Sequence, residues 1–250
     1  MTATRLAQRA LVRLSTDDPA EDLRGFLQGL VTNDVMAPPP VYAALLSAQG
    51  KTLFDFLVWA QEDGSILLDC EAEHAAELAK RLSLYRLRRK IDIGLAPDLA
   101  VHWQAEGEAG SADPRLLSLG RRWIAPPGEE GAADEAWLVH RLKLGVPEGR
   151  GEMGDILWLE ANAVELHGVA FDKGCYIGQE NTARMNWRQK VNRRLVVVPM
   201  DRSEEKRRRA AYPVHGLAVD HLRVANLDPA QLPAWQAAAI MEQEQAPPAN

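Results

Sequence analysis

The chain has 250 residues, of which 46% are hydrophobic and 26% charged, and its formal net charge is −6. This predicts one large domain or two unequal ones with a hydrophobic core, and the negative balance argues against a protein that coats nucleic acid. No run of about 18 apolar residues occurs, so no membrane span is predicted, and two cysteines give no disulfide framework, which favours a reducing compartment.

Strand-like and helix-like patterns alternate along the chain, which predicts an α+β architecture. The elements are defined by apolar periodicity and by turn signals such as Gln49-Gly50-Lys51 and Asp63-Gly64. The predicted strands are 10–15, 41–48, 52–60, 65–70, 101–104, 122–125, 195–198 and 216–224, and the predicted helices are 17–30, 71–87 and 137–144. The charged block 201–209 predicts a solvated loop, and the tail predicts a short helix with a frayed end.

Two basic segments each allow two interpretations. The N-terminal arginines, without acids among the first sixteen residues, superficially resemble a transit peptide, but residues 10–15 predict a strand, so we assign them to the fold. The end of helix 71–87 is also basic, which complements the helix dipole; the alternative is a patch for an anionic partner such as a polyglutamate tail or RNA. The bases concerned are Arg5, Arg9 and Arg13 in the first segment and Lys80, Arg81, Arg86, Arg88, Arg89 and Lys90 in the second.

Residues 171–180, FDKGCYIGQE, concentrate the chemistry of the chain. We predict a turn that leads into a helix, with Cys175 in the first helical turn. Unpaired N–H groups there, together with Lys173, would favour the thiolate. A lone cysteine is about as often a small buried apolar residue, which is also how we interpret Cys70, since it lies in an apolar strand.

The string KGCYIGQE resembles the signature of the YgfZ family, the folate-binding, iron–sulfur cluster maturation branch of the GcvT-like aminomethyltransferase superfamily. FLQGLVTNDV, LLSAQGKTLFDFLV, YRLRRKIDI and LEANAVELHGVAFDKGCYIGQENTARM resemble that family too, in the expected order over residues 5–198. The resemblance implies an α+β, GcvT-like folate-binding fold, with ferredoxin-like subdomains around a central channel. It also implies a folate-binding domain over 1–198 and a shortened C-terminal β-barrel segment with the tail over 199–250.

The resemblance also implies site residues, with Cys175 and Lys173 as the catalytic pair. The carboxylate of Glu160 matches the one that binds the pterin ring, because a carboxylate can accept two parallel N–H bonds. The further cofactor-binding residues that it implies are Asp34, Asp55, Gln179, Glu180 and Arg194, the last chosen over Arg193 as a guess. No metal ligands are predicted, because the histidines lack ligand spacing.

We therefore expect a folate-binding accessory protein for iron–sulfur cluster assembly or repair, which uses tetrahydrofolate and Cys175. Its partners would be iron–sulfur assembly proteins or cluster-containing client enzymes such as tRNA-modifying enzymes, because two cysteines are too few to hold a cluster alone. We expect no direct nucleic-acid binding. The location would be the cytoplasm of a bacterium or the mitochondrial matrix of a eukaryote.

Two other functions stay open. A tetrahydrofolate-dependent aminomethyltransferase or demethylase is disfavoured, because Phe54 stands where those enzymes carry the first of two adjacent aspartates, and one carboxylate seldom does the acid/base work of two. An accessory factor is therefore expected rather than a turnover enzyme. A non-catalytic module that docks partners through the basic end of helix 71–87 is the third possibility.

Overall fold

The computed structural model describes residues 3–128, 131–188 and 191–245. A five-stranded antiparallel sheet organises the first part of the chain. The strand order is β2-β3-β4-β1-β5. The elements of this part are β1 (Arg9–Ser15), α1 (Leu23–Gln28), β2 (Val41–Leu46), β3 (Thr52–Ala60), β4 (Ile66–Glu71), α2 (Ala75–Arg86) and β5 (Asp92–Leu95). Helix α1 is shorter than predicted, because the side chain of Asp22 caps it by accepting a hydrogen bond from Gly25 N at 2.8 Å.

The two faces of this sheet separate two hydrophobic clusters, as the alternation of side chains along a strand requires. Alternate residues of β3, such as Phe54 and Phe56, pack with α1 and α2 on one face. Leu57 and Trp59 belong to the cluster on the other face, towards the rest of the chain. Asp55 and Asp69 share that second face, which places two buried carboxylates in the interior of the protein.

Two three-stranded antiparallel sheets complete the architecture, with orders β6-β8-β7 and β10-β11-β9. The remaining elements are β6 (Ala100–Gln104), β7 (Ser111–Ala112), β8 (Arg121–Ala125), α3 (Asp134–Lys143), α4 (Arg150–Met153), α5 (Gln179–Arg188), β9 (Arg193–Pro199), β10 (Arg208–Tyr212), β11 (Leu217–Arg223) and α6 (Ala234–Gln245). Strand β9 pairs with β11 over its full length. The domain boundary at 198/199 stays a prediction.

Several short elements differ from the predictions. The sequence missed α4, β5 and β7, which are two to four residues long. The predicted solvated loop 201–209 is wrong at its end, because β10 starts at Arg208. This edge strand carries arginine and alanine rather than an apolar run, and its pairing with β11 is what makes it a strand. Among the described residues, no helix is long and apolar enough to cross a membrane.

Candidate functional site

An exposed cysteine lies on the segment that joins the middle of the chain to α5. Cys175 is exposed and free, whereas the next residue, Tyr176, is buried. The prediction that Cys175 lies in the first turn of a helix is wrong, because α5 begins only at Gln179 and Cys175 lies in the non-helical segment before it. The positive end of a helix therefore does not act on this thiol from within its own turn.

Lys173 anchors one end of this segment, which we call the Cys175 loop (residues 171–178). Its ammonium donates to the carbonyl oxygen of Gln28 at 2.7 Å and to that of Val31 at 2.5 Å. It also lies 5.0 Å from the centroid of the Tyr176 ring. Burial lowers the pKa of Lys173 to about 8, although the charge of Asp34 opposes this shift. Lys173 thus binds the carbonyl end of α1.

Gly178 anchors the other end against the turn between β2 and β3. Its φ is +82°, and an added Cβ would lie 2.4 Å from the carbonyl oxygen of Ser47. Three residues later, Asn181 Nδ2 donates to the carbonyl oxygen of Gln49 at 2.9 Å. Because only glycine allows both this φ and this close approach, the loop is held firmly on either side of the exposed thiol.

The other motif residues predicted to bind a cofactor lie at the start of α5. Gln179 is half-buried, and Glu180 is exposed. The carboxylate of Glu180 lies 3.8 Å from the guanidinium of Arg184, one helical turn away. A surface pair of this type contributes little to stability. Their cofactor roles stay predictions.

Asp34 lies at the same end of α1 as Lys173. Its Oδ1 accepts hydrogen bonds from Gln28 Nε2 at 2.9 Å and from Met36 N at 3.0 Å. The structure therefore brings Asp34 and Lys173 together beside the Cys175 loop. Asp34 orders the chain after α1 and places a negative charge near the ammonium. Its cofactor role stays a prediction.

Glu160 and Arg194 contact different parts of the C-terminal sheet. Glu160 lies in a 3₁₀ turn, Trp158–Ala161, and its Oε2 is 3.0 Å from His221 Nε2. Arg194 is buried and bonds Glu165 Oε1 at 2.8 Å and Asn162 Oδ1 at 3.2 Å. In the β9–β11 register His221 pairs with Leu195, the neighbour of Arg194. Adjacent strand residues point to opposite faces, so Glu160 and Arg194 serve opposite faces of this sheet.

Asp55 lies elsewhere again, in the interior. Its carboxylate accepts from Gly149 N at 3.2 Å and from the hydroxyl of Tyr42 at 3.5 Å. Burial raises the pKa of Asp55 to about 7; the charge of Arg9 opposes the shift, and the carboxylates of Glu71 and Glu148 add to it. Among the predicted cofactor residues, Asp55 is therefore buried in the interior, whereas Glu160 and Arg194 contact opposite faces of the C-terminal sheet.

A buried network of ion pairs, missed by the sequence analysis, surrounds Asp55. Asp69 pairs with Arg9 at 2.6 Å and with Arg122 at 2.8 Å. Burial by itself would raise the pKa of Glu148, but the guanidiniums around it hold that pKa well below its usual range. The members of the network are Arg9, Asp69, Asp113, Arg115, Arg122, Arg141, Glu148 and Glu152. Pairs such as Arg9 with Asp69 and Arg122 with Asp69 join residues far apart in the chain, so no local pattern of the sequence indicates them.

A cavity of about 500 Å³ adjoins this network. Its lining includes Arg9, Glu71, Trp137, Arg141 and Glu148, but not Glu160 or Arg194. Within the described ranges, no group of three or more His, Cys, Asp and Glu side chains is arranged to hold a metal ion.

The basic end of α2 is partly neutralised by the chain itself. Arg89 Nε lies 2.7 Å from Glu21 Oε2, and Lys90 Nζ lies 2.8 Å from Asp18 Oδ2. Arg86 donates to the carbonyl oxygen of Ile91 at 2.7 Å. These bases therefore tie the end of α2 to the rest of the chain. Docking through this end stays a prediction.

The comparisons with known proteins place these features in context. A solved structure of the glycine cleavage system aminomethyltransferase T from Bartonella henselae superimposes with a TM-score of 0.65 and 12% identity, over 90% of this chain and 79% of that one. The chain has the aminomethyltransferase fold. The predicted fold class is thus confirmed. No family model matches the chain.

The chain is similar to curated proteins named as iron–sulfur cluster assembly factors. The chain is 34% identical over 238 residues to the mitochondrial iron–sulfur cluster assembly factor IBA57 of Homo sapiens, a match that covers 78% of this chain and 65% of the relative. It is 31% identical over 233 residues to the mitochondrial IBA57 homologue of Neurospora crassa, with coverages of 77% and 52%. The chain thus spans about half to two thirds of the length of these relatives.

Proposed function

We propose that this protein is an accessory factor of iron–sulfur cluster assembly, in which Cys175 gives one thiolate to a cluster that a partner completes. The observation that carries the proposal is the exposed thiol on a loop held at both ends. The names of the relatives support it, as does the YgfZ-like string around Cys175.

The second cysteine explains why a partner is needed. Clusters of this kind usually take four thiolates. Cys70 is buried, and burial raises the pKa of its thiol to about 12, although Arg9 opposes the shift. It is therefore neither accessible nor readily ionised. The remaining ligands have to come from another protein, such as a cluster carrier or a client enzyme.

The test replaces each cysteine in turn in cells that lack the endogenous protein. Cys175→Ser is expected to abolish rescue of cluster-dependent enzymes without changing the thermal unfolding midpoint. Cys70→Ala, the matched control, is expected to keep rescue, with some loss of stability from the core. Full rescue by Cys175→Ser would falsify the proposal.

Tetrahydrofolate binding at Glu160 is the second part of the proposal. The half-buried carboxylate of Glu160 suits tetrahydrofolate, because its side-chain contact is with one imidazole nitrogen, that of His221. It therefore retains acceptor capacity for the N–H groups of the aminopyrimidine ring. Asp55 and Arg194 are engaged within the chain itself, Asp55 by Gly149 and Tyr42 and Arg194 by Glu165, which argues against this role for them. Bound there, the folate would supply a reduced pterin. The aminomethyltransferase fold supports this part, whereas the core position of Phe54 favours an accessory role over methylene transfer.

Titration of the purified protein with tetrahydrofolate tests this part separately. Glu160→Gln is expected to weaken binding at least tenfold. Glu165→Gln is the control, because it removes a nearby carboxylate that pairs with Arg194 on the other face of the sheet. Equal affinity of wild type and Glu160→Gln would remove Glu160 from the site.

For the compartment, the mitochondrial names of the relatives support the matrix if the source is a eukaryote.

A further inference from the structure

We propose that Lys173 is a positioning residue that keeps Cys175 facing outward by binding the carbonyl end of α1, and that it does not activate the thiol. The inference rests on the proposed use of Cys175 as a cluster ligand. It assigns to Lys173 a different role from the thiolate activation that the sequence predicted.

The ammonium of Lys173 has its hydrogens occupied within the fold. An ammonium carries three N–H donors and no acceptor. Two donors reach the carbonyl oxygens of Gln28 and Val31 at 2.7 and 2.5 Å, and the ring of Tyr176 lies 5.0 Å from the nitrogen, within cation–π range. Little of the ammonium is left to contact a thiolate or a bound partner.

The acceptors explain why a lysine suits this position. The last carbonyls of a helix lack partners within the helix, and that end carries a partial negative charge. Helix α1 ends at Gln28, whose carbonyl is one of these, and the Val31 carbonyl lies three residues further on, in the chain that leaves the helix. A cation that binds both carbonyls satisfies the end of α1 and fixes the start of the Cys175 loop to it in one step.

The position of the lysine decides what it controls. Lys173 is fixed two residues before Cys175, and Tyr176 is buried directly after it. Gly178 is fixed against Ser47 a little further on. The exposed thiol therefore sits between anchors on both sides, and loss of the first anchor leaves it on a mobile segment. A cluster shared with a partner needs this sulfur at a defined position.

The experiment compares Lys173→Met, which removes the donors, with Lys173→Arg, which keeps donors and charge. Lys51→Met is the matched control, because Lys51 is an exposed lysine on the β2–β3 turn that faces Gly178. Three quantities are measured: amide hydrogen exchange over residues 174–178, the iodoacetamide rate of the native thiol at a fixed pH, and the visible absorption of the cluster-bridged complex with a carrier. Because Cys70 is 2% exposed, alkylation of the native chain reports on Cys175.

Positioning predicts one combination of results. Lys173→Met exchanges these amides at least tenfold faster, reacts with iodoacetamide no more slowly than wild type, and yields at least tenfold less bridged complex. Lys173→Arg restores all three to within about threefold, and Lys51→Met resembles wild type. Amides far from the loop are expected to exchange at the wild-type rate in Lys173→Met. A general loss of stability would instead speed their exchange as well.

The opposite combination would overturn the inference: an alkylation rate that falls tenfold in Lys173→Met with unchanged exchange at 174–178 means that the lysine activates the thiol. If Lys173→Met does not fold, Lys173→Leu, which also lacks donors, is held to the same criteria. Exchange and alkylation do not involve a cluster. Full rescue by Cys175→Ser would therefore contradict the proposed function without affecting the anchoring by Lys173. Unchanged exchange in Lys173→Met would contradict the anchoring without affecting the proposed function.

Discussion

Gly178→Ala is the substitution that tests the geometry of the Cys175 loop most directly. The φ of +82° is unfavourable for any residue with a Cβ, at a cost of about 1–2 kcal/mol. The new Cβ would also lie 2.4 Å from Ser47 O and 3.0 Å from Leu46 Cβ. Ser47 O is backbone and cannot rotate away, so overpacking adds about 1–3 kcal/mol.

Together these effects predict that Gly178→Ala lowers the free energy of unfolding by about 2–5 kcal/mol. For a chain of this size, each kcal/mol lowers the thermal midpoint by about 2–4 °C. Gly174→Ala is the matched control. It lies in the same loop, its φ is outside the left-handed region, and nothing lies within 4 Å of an added Cβ. Its effect is expected within about 0.5 kcal/mol.

The assay is urea unfolding of both variants beside wild type, followed by hydrogen exchange over the loop. Gly178→Ala is expected to lower the unfolding midpoint and to loosen residues 174–178, whereas Gly174→Ala leaves both unchanged. Equal midpoints for the two variants would refute the claim that Gly178 is in close contact with the β2–β3 turn.

Three further outcomes follow from other contacts. The pKa of Asp55 is raised to about 7 in the folded chain, whereas the unfolded chain releases this proton near pH 4. As the pH rises between these values, the unfolding free energy of wild type is therefore expected to fall, relative to that of Asp55→Asn, by up to about 1.4 kcal/mol per pH unit. A difference between the two proteins that stays constant from pH 4 to 8 would contradict this. Arg122→Met leaves Asp69 buried without one of its cations and is expected to lower the free energy of unfolding by about 3–5 kcal/mol in urea titrations, whereas Lys90→Met, at an exposed pair, leaves the midpoint unchanged; similar effects of the two would rule out the network as a stabilising unit. Asn181→Ala removes the hydrogen bond to the Gln49 carbonyl and is expected to lower the free energy of unfolding, measured by thermal unfolding, by about 0.5–1.5 kcal/mol. An unchanged midpoint would show that this hydrogen bond does not stabilise the fold.

The strands and the larger helices were predictable because each shows its periodicity within a few residues. In β3, Phe54 and Phe56 alternate with Asp55 and Leu57 and pack on opposite faces, as the pattern predicts. The core position of Cys70 followed from its apolar strand and is confirmed. The start of α5 was misplaced, since Gly178 and the loop before it are held by tertiary contacts that no local pattern announces.

By itself, the sequence determined the α+β class, the positions of the main strands along the chain and the motif that carries Cys175, since these depend on neighbouring residues. Only the tertiary structure decided which charges meet. Arg9 pairs with Asp69, Arg122 with Asp69, and Lys173 with the carbonyls of Gln28 and Val31, across separations of 53 to 145 residues. Pairs so far apart leave no periodic pattern in a single sequence. Their burial requires the pairing, because a charge removed from water is costly unless a partner within the fold compensates it.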